Sequence, residues 1–108
     1  MDFVEVAKVD EIPAGKMKAC KVGEREIVVI NSGGKFYALN RRCTHMGGDL
    51  AEGKLEGATV RCPRHGAIFD VTTGRCLAGP KIGPLKLKTK DETRYEVVVE
   101  GRAIKIKV

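Results

Sequence analysis

Cys43-Thr44-His45-Met46-Gly47-Gly48 and Cys62-Pro63-Arg64-His65-Gly66-Ala67-Ile68-Phe69-Asp70 decide how this chain is read. Each stretch carries one thiol and one imidazole, sixteen residues separate His45 from Cys62, and together they use both histidines of the protein. Two thiols and two imidazoles divided this way serve as metal ligands in either of two arrangements. They fit a cluster of two chemically different iron atoms, one held by sulfur and the other by nitrogen. They also make up a tetrahedral zinc set. Zinc knuckles usually leave about two to four residues between paired ligands, whereas a single residue separates Cys43 from His45. In extended chain, residues i and i+2 point the same way about 6.5 Å apart. That reach suits two neighbouring metals better than closure on one.

The chain resembles the Rieske-type [2Fe–2S] ferredoxin family. The resemblance rests on the two motifs, extends to Gly79-Pro80 and the closing strands, and so covers most of the chain. It implies an all-β Rieske fold with antiparallel strands and the cluster at one tip. It also implies that Cys43 and Cys62 bind one iron and His45 and His65 the other. Each loop then reaches both irons, and metal binding braces that part of the fold. In the family a proline loop covers one side of the cluster, and Pro80 is the residue placed to supply it. Glycines crowd the ligands at Gly47, Gly48, Gly66, Gly74 and Gly79. Gly47 and Gly66 are the ones whose freedom would let backbone N–H groups approach the sulfurs. Respiratory Rieske proteins carry an extra disulfide and sulfur-directed hydroxyls. The matching positions here are Gly48 and Arg64, then Ala67 and Phe69. With no bridge and fewer donors, the potential is expected toward the low end of the Rieske range of about −150 to +300 mV.

The 108 residues suit one domain. Composition shifts over 41–80 toward Gly, Cys, His and Arg, so a cluster-binding module there is expected to be inserted into a β-sandwich or barrel base made of 1–40 and 81–108. Trp is absent and aromatics are few, which leaves Val, Ile, Leu and Ala to fill the core. Candidate strands are 2–9, 17–22, 25–31, 35–40, 58–62, 67–71, 84–89, 93–100 and 102–108, each with apolar residues at a period near two. Asn31-Ser32-Gly33-Gly34 reads as a hairpin loop and Glu100-Gly101-Arg102 as a tight connection. The best helical window, 48–55, promises at most one turn.

The start, Met1-Asp2-Phe3-Val4-Glu5-Val6, lacks the basic and apolar regions of a signal peptide. No apolar run approaches membrane-spanning length, so a cytoplasmic protein without membrane contact is expected. Cys20 and Cys76 are read as reduced, partly buried small side chains. A Cys20–Cys76 bridge or a redox role for Cys76 is the competing reading. The net charge is +6. Leu85-Lys86-Leu87-Lys88 and Ile104-Lys105-Ile106-Lys107 alternate apolar residues with lysine, as strands with one wet face do. Arg41, Arg42, Arg61, Arg64 and Arg75 surround the motifs and are candidates for attracting an acidic redox partner. Nothing resembles a nucleic-acid-reading motif.

Taken together, these features point to a one-electron carrier, not itself an enzyme. No G-x-G-x-x-G opens a βαβ unit, and the four protein ligands leave the cluster no open position. By family analogy, electrons would pass from a reductase to a terminal oxygenase, with the protein a monomer. The alternatives are a small Rieske subunit of a reductase complex, resembling nitrite reductase, and a structural zinc module in an interaction protein.

Overall fold

The computed structural model describes residues 3–42, 49–63, 66–78, 81–82, 85–86 and 91–107, with 81–82 and 85–86 as backbone. Among the described residues thirteen strands form: β1 Phe3–Lys8, β2 Met17–Val22, β3 Arg25–Ser32, β4 Lys35–Asn40, β5 Lys54–Glu56, β6 Thr59–Arg61, β7 Ile68–Asp70, β8 Cys76–Ala78, β9 Lys81–Ile82, β10 Leu85–Lys86, β11 Arg94–Tyr95, β12 Val97–Glu100 and β13 Ala103–Lys107. Helical structure among the described residues is limited to the single turns Val9–Glu11 and Leu50–Glu52, and none of it is long and apolar enough to cross a membrane. The strands build a central sheet β11-β4-β3-β2, a terminal sheet β1-β13-β12, a third sheet β5-β6-β7-β8 and the hairpin β9-β10. All pairings are antiparallel.

The organising strand is β3. Ile27, Val28, Val29 and Ile30 are all fully buried, as a continuous apolar run requires when both faces of a sheet are covered. Alternation sends them to different neighbours. Val28 and Ile30 join Leu39, Val60, Phe69 and Val71 in the core shared with the third sheet. Val29 packs with Ala7, Ile12 and Ile104, and Ile27 with Ala38, Tyr95 and Ile106, both against the terminal sheet. Burying each such side chain contributes about 1.5–3 kcal/mol. Phe69 is the largest fully buried side chain, and Val, Ile, Leu and Ala make up most of the rest of the core.

The sequence-derived elements and the structure differ where tertiary pairing intervenes. The expected strand 93–100 is two strands. Arg94–Tyr95 pairs with Leu39 and Ala38 in the central sheet, and Val97–Glu100 pairs with β13 in the terminal sheet. The Tyr95 hydroxyl donates to Asn40 Oδ1 at 2.6 Å, which pins the first half. Within 48–55 the single turn forms over Leu50–Glu52, but Lys54 and Leu55 already belong to β5. Strand β8, over Cys76–Ala78, was not among the expected strands; it exists because β7 offers it an edge. Of 84–89, Leu85–Lys86 is strand; 87–89 lie outside the described residues. The Asn31–Gly34 hairpin narrows to Gly33–Gly34, since β3 runs on to Ser32.

Segment 91–92 straps the third sheet to the central one through Gly74. The Glu92 N–H donates to the Gly74 carbonyl at 2.7 Å, the Gly74 N–H donates to the Asp70 carbonyl, and the Cys76 N–H donates to Asp91 Oδ1. Gly74 has φ +79°, and a Cβ there would sit 2.4 Å from the Glu92 carbonyl oxygen. Gly23, with φ +60°, has open space around its Cβ position. Gly74→Ala therefore combines left-handed strain with backbone overlap and is expected to cost about 2–4 kcal/mol, against about 1 kcal/mol for Gly23→Ala. Denaturant unfolding of the two variants compares them; equal losses would contradict the close-approach account.

Candidate metal centre

Both ligand loops leave from stems that the backbone holds closed. β4 ends at Asn40, and Asp49 bridges Arg42 in antiparallel fashion. The Leu50 N–H donates to the Arg41 carbonyl at 2.8 Å, and the Arg41 N–H donates to the Glu26 carbonyl at 3.0 Å. The side chains lock the same stem. Arg41 Nε donates to Asp49 Oδ1 at 3.0 Å and its Nη2 donates to Oδ2 at 2.8 Å, a two-bond fork that only guanidinium geometry provides. Asp49 also caps the Leu50–Glu52 turn by accepting from the Ala51 N–H. Residues 43–48 span this stem, so Cys43, His45, Gly47 and Gly48 lie outside the described residues.

The second stem is simpler. β6 delivers Cys62, whose N–H donates to the Ala67 carbonyl at 2.7 Å across the turn. Pro63 holds the preceding residue to extended geometry, and Gly66 takes φ +73° at the return. His65 and Arg64 lie outside the described residues, as do Gly79, Pro80, Gly83 and Pro84. Cys62 is a free thiol, 1% exposed. It packs in the same core cluster as Leu50, Ala67 and Phe69. Leu50 leaves the first stem and Ala67 closes the second, so that cluster holds both stems at one end of the sheets. A surface groove lined by Lys54, Arg61, Cys62, Pro63 and Gly66 opens beside the second stem.

Electrostatics at the first stem differ from the expectation of a free basic patch. Arg41 pairs with Asp49 and, at 3.8 Å, with Glu26; Arg42 pairs with Glu26 at 3.1 Å. Their charge is used within the fold. Arg61 and Arg75 are exposed, with no ion pair among the described residues. The hydrogen bonds from Arg41, aided by the Ala51 N–H, hold the Asp49 carboxyl below the usual carboxylate range. Asp49 escaped the sequence reading, although it and Arg41 flank the first motif with opposite charges.

The other two cysteines lie on opposite sides of the central sheet. Cys20 packs on the terminal-sheet side of the central sheet, whereas Cys76 packs on the opposite side with the Cys62 core. Each is a free thiol, which rules out a Cys20–Cys76 bridge. Burial pushes both thiols up, which disfavours the reactive thiolate.

The described residues thus form a nearly all-β domain whose two loop stems share one core cluster, one of them carrying a buried thiol. The model of the Rieske [2Fe–2S] domain matches residues 2–91, and the chain belongs to that family. The ferredoxin component of the naphthalene 1,2-dioxygenase/salicylate 5-hydroxylase systems from Ralstonia sp is 34% identical over 107 residues, covering 99% of this chain and 96% of the relative. The 3-phenylpropionate/cinnamic acid dioxygenase ferredoxin subunit of Escherichia coli (strain K12) is 38% identical over 103 residues, covering 94% and 89%. The solved ferredoxin of carbazole 1,9a-dioxygenase from Nocardioides aromaticivorans IC177 superposes with a TM-score of 0.81 at 30% identity, covering 98% of this chain and 97% of that one. The family cofactor is a [2Fe–2S] cluster, which decides against the zinc alternative. The residues fit it: an unbridged buried thiol in the second loop, and a second thiol and two imidazoles in the motifs, match its mixed sulfur–nitrogen donors. Ala67 and Phe69, where hydroxyls would stand in respiratory relatives, are fully buried and apolar.

The Asp49 shift has a definite sign. Its folded-state pKa is depressed, so its contribution to stability is present above the unfolded value of about 3.9 and is lost as pH falls through the folded one. Asp49→Asn is expected to be less stable than the native protein at neutral pH, with the gap closing as pH falls below the usual carboxylate range. Urea unfolding at several pH values tests this; a gap independent of pH would exclude the ionised pair as its source.

Proposed function

We propose that this protein is a one-electron carrier in which Cys43, His45, Cys62 and His65 hold the [2Fe–2S] cluster, Cys43 and Cys62 on one iron and His45 and His65 on the other. The observation that supports the reading is the shared core cluster, in which Leu50, just after the first motif, packs with Cys62 and Ala67 of the second stem. When bound, the cluster supplies reversible one-electron storage. The chain's own residues orient it and exclude water from Cys62. They also surround that thiol with Ala67 and Phe69, which donate no side-chain hydrogen bond toward the sulfurs. The protein is not itself an enzyme: its partners are a reductase as donor and a terminal oxygenase, of the aromatic-ring dioxygenase kind, as acceptor. It acts in the cytoplasm as a monomer, without contact with membrane or nucleic acid. Residues 41–80 form the cluster-binding module and 1–40 with 81–108 the base. The names of the similar ferredoxin components, nearly their full length covered, support this over a nitrite-reductase-like subunit.

Electron–nuclear double resonance of the dithionite-reduced protein is expected to show two nitrogen couplings, with His45→Ser or His65→Ser losing the cluster or one coupling. A reduced cluster with no nitrogen coupling, or unchanged spectra in both variants, would overturn the ligand assignment. Ala67→Ser restores a hydroxyl beside Cys62 and is expected to raise the midpoint potential by on the order of tens of millivolts. Protein-film voltammetry measures it; a fall would contradict the low-potential account.

A further inference from the structure

We propose that Arg41 and Asp49, braced by Glu26 and Arg42, are positioning residues that clamp together the two chain segments flanking the first ligand motif and set the local charge the cluster experiences. The proposal rests on the carrier reading above. Four charges alternate along the chain of contacts Asp49–Arg41–Glu26–Arg42. The Arg41–Asp49 pair is the most sheltered ion pair among the described residues, with side chains 31% and 13% exposed. By contrast, Lys8–Glu5, Lys54–Glu56 and Arg102–Asp10 join side chains at least 47% exposed. Exposed pairs contribute little to stability, whereas a forked and sheltered one fixes geometry.

Position gives the pair its meaning. Arg41 and Asp49 stand on the two stems of the six-residue segment 43–48, and Cys43 follows Arg42 directly in the chain. The backbone closes the same gap where Arg42 bridges Asp49, with the Leu50 N–H donating to the Arg41 carbonyl, and the Ala51 N–H holds the Asp49 carboxylate from its own side. Glu26 anchors this assembly to the first residues of β3. A loop with closed stems has already lost most of its closure entropy, so less is lost when its ligands are ordered on metal. The network is also electrically neutral, two cations against two anions, so loop closure adds no net charge beside the cluster. Removing either partner of the central pair uncovers a charge of opposite sign. An uncovered Arg41 favours the more negative reduced state, and an uncovered Asp49 disfavours it.

The test uses the protein reconstituted with iron and sulfide, comparing Asp49→Asn, Arg41→Gln, the double variant and Arg41→Lys. Both single variants are expected to lose visible absorbance to a chelator roughly three- to tenfold faster than the native protein, with faster amide exchange at Leu50. The midpoint potential should rise in Asp49→Asn, fall in Arg41→Gln and return to the native value in the double variant, which still loses cluster quickly. Arg41→Lys keeps the charge without the fork, so its potential should stay native while its cluster loss quickens; it decides the matter if Arg41→Gln does not fold. Potential shifts of the same sign in both single variants, or native loss rates in Arg41→Lys, would overturn the proposal. A native protein that takes up no iron and sulfide would instead defeat the carrier reading. The clamp would then be judged on Leu50 exchange alone, where unchanged rates in Asp49→Asn reject it.

Discussion

The burial of β3 on both faces is the constraint on which the rest of this structure depends. Side chains of a strand alternate, so a strand covered on both sides must be apolar at every position. Ile27-Val28-Val29-Ile30 meets that condition. Its odd residues take the terminal sheet and its even residues take the third sheet. The ends of the chain and the strands between the two motifs are thereby held on opposite faces of one central sheet. A polar residue at 28 or 30 would separate the third sheet from its support and leave the second ligand stem without a floor.

From that base the chain builds the loop stems out of unequal materials. The second stem relies on burial: Cys62 lies in the core and its backbone closes on Ala67. The first relies on charge: Arg41 and Asp49 close it at the surface, with Glu26 and Arg42 behind them. A fold of this size has a limited core, and the third sheet already occupies one face of it. A sheltered ion pair is an economical closure where no apolar surface remains to be buried. It also explains why the arginines beside the first motif do not form a free basic surface, although Arg61 and Arg75 stay exposed.

Much of the fold was legible because strand alternation is a local property. The strands at 17–22, 25–31 and 35–40 came from apolar period and turn residues, and the structure places them within one residue of those limits. What failed had no local signal. Thr93 to Glu100 reads as one strand, but Tyr95 and Val97 pair in different sheets because their partners, Ala38 and Ile106, come from distant parts of the chain. Cys76–Ala78 becomes a strand only because β7 presents an edge to it. Gly74 stands in the sequence only as one of several glycines near the motifs; that no side chain fits there is decided by the Glu92 carbonyl lying against it.

The proposed donor set was written in the order of residues: thiols and imidazoles stand at 43, 45, 62 and 65, because donor atoms belong to residue types and their spacing is covalent. The closure of the first stem was decided only in three dimensions. Arg41 and Asp49 are eight positions apart; their fork forms because Asp49 lies in an antiparallel bridge beside Arg42, and Glu26 approaches Arg41 from another strand. The separation of Cys20 from Cys76 was settled in the same way, by a sheet standing between two thiols that no count of residues could keep apart.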